Sequence, residues 1–321
     1  MEQPFVSIVI PAYNAASTIG QTIEACRNQD YPSDKIEIIV VDDGSKDNTK
    51  EAALRFGIKY ISQKKTGPAS ARNNGWRNSK GGAICFTDAD CIPEPDWVSK
   101  LVRHYGVSAI GAVAGSYSVH GSPYLLDKFV HYEIRDRHLR MPEFINSFGT
   151  YNVMIKRHVL EAVKGFNAEY YSASGEDTDM SYKIVKLGYK IYFEKDAFVS
   201  HKNILRAWRY FLVQFRHGYW RMKLYRENSP MILKDEYGYW KDFLEALLVM
   251  ALIFSLFFNF RYGGILTAAL FLIQLPAVLK IASRGKNILY LWFSFITFIR
   301  AFVRVTGGIF GFIKFWIFRM G

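Results

Sequence analysis

Cysteine is scarce: the 321 residues hold three, Cys26, Cys85 and Cys91, with no CxxC and no Cys/His spacing of a zinc site. A disulfide framework and a structural zinc are therefore excluded, and a reducing compartment fits. Glycine motifs that cradle phosphate are missing too, since no GxGxxG follows the first apolar run and no GxxxxGK[ST] occurs anywhere. There is no internal repeat and no low-complexity segment. The start, MEQPFVSIVIPAYN, lacks the basic n-region of a secretory signal, so residues 1–200 are expected to stay on the cytoplasmic side. Acidic residues are absent from 201–226, and 201–321 hold 17 Lys+Arg against 5 Asp+Glu, whereas 1–200 hold 24 of each. The whole formal charge of +12 thus belongs to the C-terminal part, beside the long apolar runs. That placement points to anionic lipid headgroups and against nucleic acid.

Half of the residues are hydrophobic and 16% aromatic, which excludes a disordered or collagen-like chain, and the length allows about two domains. Short β-branched runs at Phe5–Ile10, Ile36–Val41, Ile58–Ser62 and Ala83–Thr87 alternate with helical stretches near 17–28, 47–56, 68–79 and 95–105. The pattern βαβαβαβα predicts an α/β fold with a mostly parallel sheet and helices on both faces. Further strands are expected near 110–119, 148–155 and 189–193, with helices near 125–138, 157–163 and 177–187, as a mixed edge to the same sheet. In open α/β sheets ligands bind outside the carboxyl ends of the strands. The residues there are Pro11-Ala12-Tyr13-Asn14, Asp42-Asp43-Gly44-Ser45 and Asp88-Ala89-Asp90.

From His201 to Arg226 seven Lys/Arg are interleaved with aromatics. A helix of this kind would lie in the headgroup layer, with Trp208, Phe211, Phe215 and Trp220 inward and Arg206, Arg209, Arg216, Arg221 and Lys223 on phosphates. Two charge-free runs follow, Ala246–Phe260 of 15 residues and Tyr262–Leu279 of 18. A span needs about 20 apolar residues, so together they read as a helical hairpin with Gly263-Gly264 near its turn. Lys280, Arg284 and Lys286 put its far end on the cytoplasmic side. Arg300 and Arg304 interrupt the remainder, Ile288–Phe318. It is either a third helix whose arginines face protein or a lipid phosphate, or an interfacial helix. Three regions result: a catalytic domain over 1–200, interfacial helices over 201–242, and membrane helices over 243–321, in a multi-pass membrane protein.

Asp88-Ala89-Asp90 follows the strand AICFT directly. Two acids one residue apart in a turn suit Mg2+ or Mn2+, which takes one or two carboxylates and fills its octahedron with water and phosphate oxygens. An EF-hand would need glycine and glutamate where Pro93 and Ser99 stand, and a DxDxT phosphatase would need threonine in place of Ile92.

These segments, with Gly67-Pro68-Ala69-Ser70-Ala71-Arg72-Asn73-Asn74-Gly75 and Gly175-Glu176-Asp177, occur in an order and spacing that resembles family 2 glycosyltransferases over about residues 5–200. The resemblance implies an inverting, metal-dependent transferase of the GT-A (Rossmann-like) fold that uses a nucleoside diphosphate sugar. It implies that Pro11, Ala12, Tyr13 and Asn14 line the nucleotide pocket and that Asp43 accepts from the base. Arg72 would serve the base or diphosphate, and Asp88, with Ala89 beside it, would serve the ribose. Asp90 would ligate the metal, with His201 as a further ligand, and Asn152 would touch the donor sugar. Asp177 matches the catalytic base, with Glu176 beside it in the donor site. Gly67 and Gly75 are expected to let the backbone approach the nucleotide, and Asp42 is left between a structural role, capping a helix near Asp47, and a functional one.

Processive synthases of this family carry QxxRW, and this chain has Gln214-Phe215-Arg216-His217-Gly218 instead, which argues for transfer of a single sugar. The acceptor implied is a lipid-linked saccharide or glycolipid. Polyprenyl phosphate is the alternative acceptor, and a non-catalytic nucleotide-sugar-binding membrane protein is the alternative class.

Overall fold

The computed structural model describes residues 3–118, 122–172, 174–201, 206–229, 240–258 and 260–318. The chain forms two compact units, Met1–His120 with Arg135–Asn203, and Gly121–Ile134 with Ile204–Gly321. The second unit takes a segment from the middle of the chain, 121–134, together with the residues after 203.

In the first unit the four apolar runs form β1 (Val6–Ala12), β2 (Ile36–Asp42), β3 (Lys59–Ser62) and β4 (Ala83–Phe86). They alternate with α1 (Ile19–Arg27), α2 (Thr49–Leu54) and α3 (Pro68–Arg77). All are parallel: Val6 pairs with Ile36 and with Ala83, and Ile39 pairs with Lys59. The chain continues through β5 (Cys91–Pro93), α4 (Trp97–Leu101), β6 (Ile110–Ser118), α5 (Leu125–His138), β7 (Phe144–Ile145), β8 (Val153–Lys156), α6 (Arg157–Ala162), α7 (Glu176–Lys186) and β9 (Lys190–His201). The sheet order is β3-β2-β1-β4-β8-β6-β9-β5, with β7 on β9. β8 lies antiparallel between β4 and β6, so the sheet is parallel on one side and mixed on the other, the GT-A-like arrangement. β5 and β7 are too short to leave a periodic signal, and β9 extends far past the expected 189–193. Of the strand expected at 110–119, Val119 lies outside the described residues.

Alternation along the strands divides the core into two layers. Val6, Ile8 and Ile10 of β1 pack with Ile19, Ile23, Trp97 and Leu101 on one face, while Val9 packs with Ala69, Trp76, Leu160 and Met180 on the other. Each fully buried side chain of this size contributes about 1.5–3 kcal/mol. Gly75 belongs to this packing and not to the nucleotide approach expected of it. A Cβ there would lie 2.3 Å from Val9 Cγ1, so the glycine lets α3 settle on β1.

The second unit contains α8 (Ala207–Glu227), α9 (Trp240–Phe258), α10 (Gly263–Arg284) and α11 (Phe293–Phe312), which runs on through a wider turn at Ile313–Ile317. The helix expected over 201–226 begins at Ala207; residues 202–205 lie outside the described set, and His201 is the last residue of β9. Lys223 departs from the headgroup role. It is 2% exposed, held by Glu227 and by the ring of Phe315, so the helix face assigned from charge alone is rotated there. Trp220 is buried on the same ring, whereas Trp208 is 59% exposed. The arginines of α11 face protein. Arg300 Nη1 donates to both carboxylate oxygens of Glu133 at 2.8 Å, and Arg304 Nε donates to Gln214 Oε1 at 2.7 Å. Two stretches, Phe260–Arg284 and Ile288–Ile317, are long and apolar enough to cross a membrane.

Candidate active site

Because β1, β2 and β4 are parallel neighbours, their carboxyl ends open on one edge of the sheet, and the loops that follow them meet there. Pro11 and Ala12 end β1, and the carbonyl of Ala12 accepts from Asp43 N–H at 2.8 Å. Asn14, at φ +51°, donates from its N–H to Ser45 Oγ and accepts at Oδ1 from Lys46 N–H, both at 2.8 Å, so the first loop is stitched to the second. Tyr13 stands out at 39% exposure, one ring face covered by Lys65 Nζ 3.7 Å from its centre. Asp42 accepts from Ser45 N–H and from the Tyr60 hydroxyl; it holds its own turn and does not cap α2.

Asp43 is buried. Its Oδ1 accepts from Gln63 Nε2 and Thr66 N–H, and its Oδ2 from Gly67 N–H, each at 2.8 Å. The acid therefore folds the 63–67 loop back over the rim. Gly67, at φ +100°, makes the turn into α3, and a Cβ there would lie 2.7 Å from the carbonyl oxygen of Tyr171. One turn into α3 comes Arg72, 2% exposed. Its Nη2 donates to Asp88 Oδ1 at 2.9 Å and its Nη1 to Glu176 Oε1 at 3.0 Å. The guanidinium thus joins the acid after β4 to the acid at the start of α7, and its fork is engaged within the protein, not left open for a diphosphate.

Glu176 is also engaged at Oε2, which accepts from Ser174 N–H at 2.7 Å. Gly175 precedes it in the left-handed region, and no side chain caps α7. Burial, then the charge of Asp177, pushes the Glu176 carboxyl up to about 7, against the pull of Arg72. Asp177 is half-buried, and its Oδ1 accepts from Thr178 N–H at 2.8 Å. Burial raises its carboxyl above the usual range, and Thr178 N–H and Arg72 oppose that shift.

Across the rim, Asp90 Oδ1 lies 3.6 Å from His201 Nδ1. Burial raises the Asp90 carboxyl, the histidine lowers it, and Asp88 raises it again. Donor atoms of Asp88, Cys91 and His201 lie within 4.8 Å of one another. In the sheet register Cys91 of β5 is the direct partner of His201 of β9. The imidazole is flanked by Tyr117, stacked at 5.9 Å, and by Tyr151, edge-on at 5.4 Å. Crowded acids beside an imidazole form a donor set that fits a divalent cation, whose charge would relieve the repulsion between them. Ala89 is buried between the two acids and points into the core.

Asn152 corrects the expectation of a donor contact. It is 1% exposed, donates from Nδ2 to the carbonyls of Ser116 and Ala197, and accepts at Oδ1 from Trp97 Nε1 at 2.7 Å. Its amide pins β8, β6 and β9 together and faces no open space.

Residues 7–163 match the glycosyl transferase family 2 profile. Glycosyltransferase AglE of Haloferax volcanii is 31% identical over 209 residues, covering 62% of this chain and 67% of that protein. The chain belongs to glycosyl transferase family 2. The probable glycosyltransferase YdaM of Bacillus subtilis is 30% identical over 298 residues, covering 85% of this chain and 67% of that one. Among solved structures, the mannosyltransferase PcManGT of Pyrobaculum calidifontis, in complex with GDP-Man and Mn2+, superposes with a TM-score of 0.62 at 20% identity, covering 96% of this chain and 88% of that one. That likeness shows the fold.

The profile match stops at residue 163, so in this family 2 glycosyltransferase the grouping of Glu176, Asp177 and His201 with the rim rests on geometry alone. Cys91, Tyr117 and Tyr151 enter the site without warning from the sequence. The one signal was the position of Cys91 directly after Asp90; its pairing with His201 is made by the sheet.

Proposed function

We propose that the chain is a membrane-anchored, metal-dependent inverting glycosyltransferase. It would move one sugar from a nucleoside diphosphate donor to a lipid-linked saccharide or glycolipid at the cytoplasmic face. The observation that carries this reading is the grouping of His201, 3.6 Å from Asp90 and within 4.8 Å of Asp88, with Arg72, which joins Asp88 to Glu176, the neighbour of Asp177. Metal site and base site are thereby held by one buried guanidinium.

In this reading Tyr13 and the loop closed by Asp43 receive the nucleoside. Asp88, Asp90 and His201 hold Mg2+ or Mn2+, which when bound stabilises charge on the departing diphosphate. Arg72 keeps Asp88 turned toward the cation side and Glu176 turned away from the acceptor. Asp177 takes the proton of the acceptor hydroxyl as it attacks the anomeric carbon from the opposite face, a role served by the raised basicity that burial supplies. Catalysis is assigned to the first unit, which ends past His201, and membrane contact to the helices of the second. The bound GDP-Man and Mn2+ of PcManGT make GDP-sugars with Mn2+ the first donors to try.

The test is donor hydrolysis by the purified full chain across UDP- and GDP-sugars. Turnover that needs Mn2+ or Mg2+ and stops with EDTA supports the reading; no turnover and no thermal stabilisation with any donor and metal sinks it, because a ligand that binds the folded state must raise its melting temperature. Full activity in Asp177→Asn would instead favour polyprenyl phosphate as acceptor, since a phosphate nucleophile is already anionic and needs no base.

A further inference from the structure

α11 is apolar enough to cross a bilayer, but it does not stand alone. Along its length it lies against α8 with the backbones touching. A Cβ on Gly218 would fall 2.0 Å from the carbonyl oxygen of Arg304, one on Gly307 2.1 Å from that of Phe215, and one on Gly311 2.3 Å from that of Tyr219. Side chains fasten the same register: the Tyr210 hydroxyl accepts from Arg300 Nη1 at 3.2 Å, Gln214 accepts from Arg304, and Met222 O accepts from Trp316 Nε1 at 3.1 Å. Residue numbers rise together on both helices, so they run parallel, and the contact extends over roughly 20 Å at 1.5 Å per residue. Small residues four apart are the device by which two helices come this close.

The outer side of α8 carries exposed Arg206, Arg209 and Arg216. Arg216 stands at the middle of the helix, too far from either end for its side chain to reach a headgroup if the helix stood upright in a bilayer. Each arginine left in hydrocarbon opposes insertion by a factor on the order of a hundred. Were α11 to span the membrane, α8 would be carried through with it. α10 follows α11 through the stacked Phe271 and Phe298, 4.4 Å apart, and through the cluster of Val278, Ile281, Tyr290 and Phe293 near their turn, so the two run antiparallel side by side.

We infer that the C-terminal unit does not cross the bilayer: it lies in one leaflet of an anionic membrane, with the exposed apolar stripes Ile265, Leu272, Leu279 and Phe295, Ile299, Phe310 in the acyl layer and the arginines of α8 at phosphate height. This rests on the membrane reading above and replaces the hairpin of spans expected from hydropathy with a monotopic raft. The opposite charges are at hand, since 201–321 carry the entire positive excess of the chain.

The test uses the full chain in the membranes of expressing cells, with single cysteines at Ser33 in the first unit, Arg261 between α9 and α10, and Ser283 at the end of α10. The native cysteines are all buried. With an impermeant maleimide, all three sites should label in sealed inverted vesicles and none in intact spheroplasts. Labelling of Arg261→Cys or Ser283→Cys from the side opposite Ser33→Cys overturns the inference while leaving the membrane reading intact. In a second arm, purified protein is sedimented with phosphatidylglycerol/phosphatidylcholine vesicles. Arg209→Ala and Arg216→Ala should each weaken partitioning roughly fivefold, an effect lost in pure phosphatidylcholine. Equal binding by the variants overturns the flat placement. A salt-insensitive dimer that ignores vesicles altogether overturns the membrane reading itself, with this inference.

Discussion

Both units bury an arginine against carboxylates, and they use it differently. In the first, Arg72 joins Asp88, whose side chain is 31% exposed, to Glu176, and the half-buried Asp177 follows Glu176 in the chain. In the second, Arg300 holds a single acid, Glu133, whose side chain is 26% exposed, together with the Tyr210 hydroxyl, and ties α5, α8 and α11 to one another. A buried guanidinium leaves its acids uncompensated when removed, whatever surrounds them; what differs is that Arg72 joins two acids from separate loops, one of them next to Asp177, whereas Arg300 joins helices through one. The comparison separates a charge cluster that gathers loops at the sheet's rim from one that holds helices.

Four outcomes test these assignments. The largest effect is expected from Asp177→Asn, which should lower kcat by roughly 10²–10⁴-fold while donor affinity, read from thermal stabilisation, is kept. Equal loss of both would remove Asp177 from the base role. Next come Arg72→Met and Arg300→Met, each breaking a buried pair at a cost of about 3–5 kcal/mol. The first should abolish transfer even where the protein remains folded, whereas the second should lower the melting temperature and leave kcat per folded molecule near wild type. If Arg300→Met slows turnover as much as Arg72→Met, the contrast fails.

Asn152→Ala should destabilise by about 1–3 kcal/mol through the stranded carbonyls of Ser116 and Ala197 and the indole N–H of Trp97, with KM for the donor unchanged. A raised KM with an unshifted melting temperature would return it to the donor site. The smallest effect concerns pH. The Glu176 carboxyl titrates near 7 in the fold and lower when unfolded, so the native state gains protons where the unfolded chain has lost them. Its contribution to stability is complete below the ordinary carboxylate range and is lost as pH rises toward 7. Wild type should therefore lose melting temperature between pH 5 and 8 relative to Glu176→Gln, and parallel curves would refute that assignment.

The parallel half of the sheet was legible because a strand buried on both faces is nearly all apolar, as Phe5–Ile10 and Ile36–Val41 are apart from Ser7 and Glu37, which bond to each other. The rim acids were legible for the same reason, since strand ends fix where loops begin. What failed is nonlocal. The β5–β9 pairing that sets Cys91 opposite His201 joins segments far apart in the chain, and neither has a side-chain period that could reveal it. Asn152 reads as polar and hence accessible, but three buried partners make it a framework residue. Lys223 reads as headgroup-facing until Phe315 covers it. The assignment of 121–134 to the C-terminal unit depends on where Phe129 finds a partner, and that partner, Phe293, stacks on it at 4.3 Å.

That last contact has a consequence during synthesis. Translation at about 5–20 residues per second puts Phe129 outside the ribosome some ten to thirty seconds before Phe293 is made. For that interval the segment around Phe129 lacks the later residues it packs against, Val278, Ile281, Tyr290 and Phe293. A chain cut short before α11 is therefore expected to leave this face uncovered, although Arg72, Asp88 and Asp177 have all been translated.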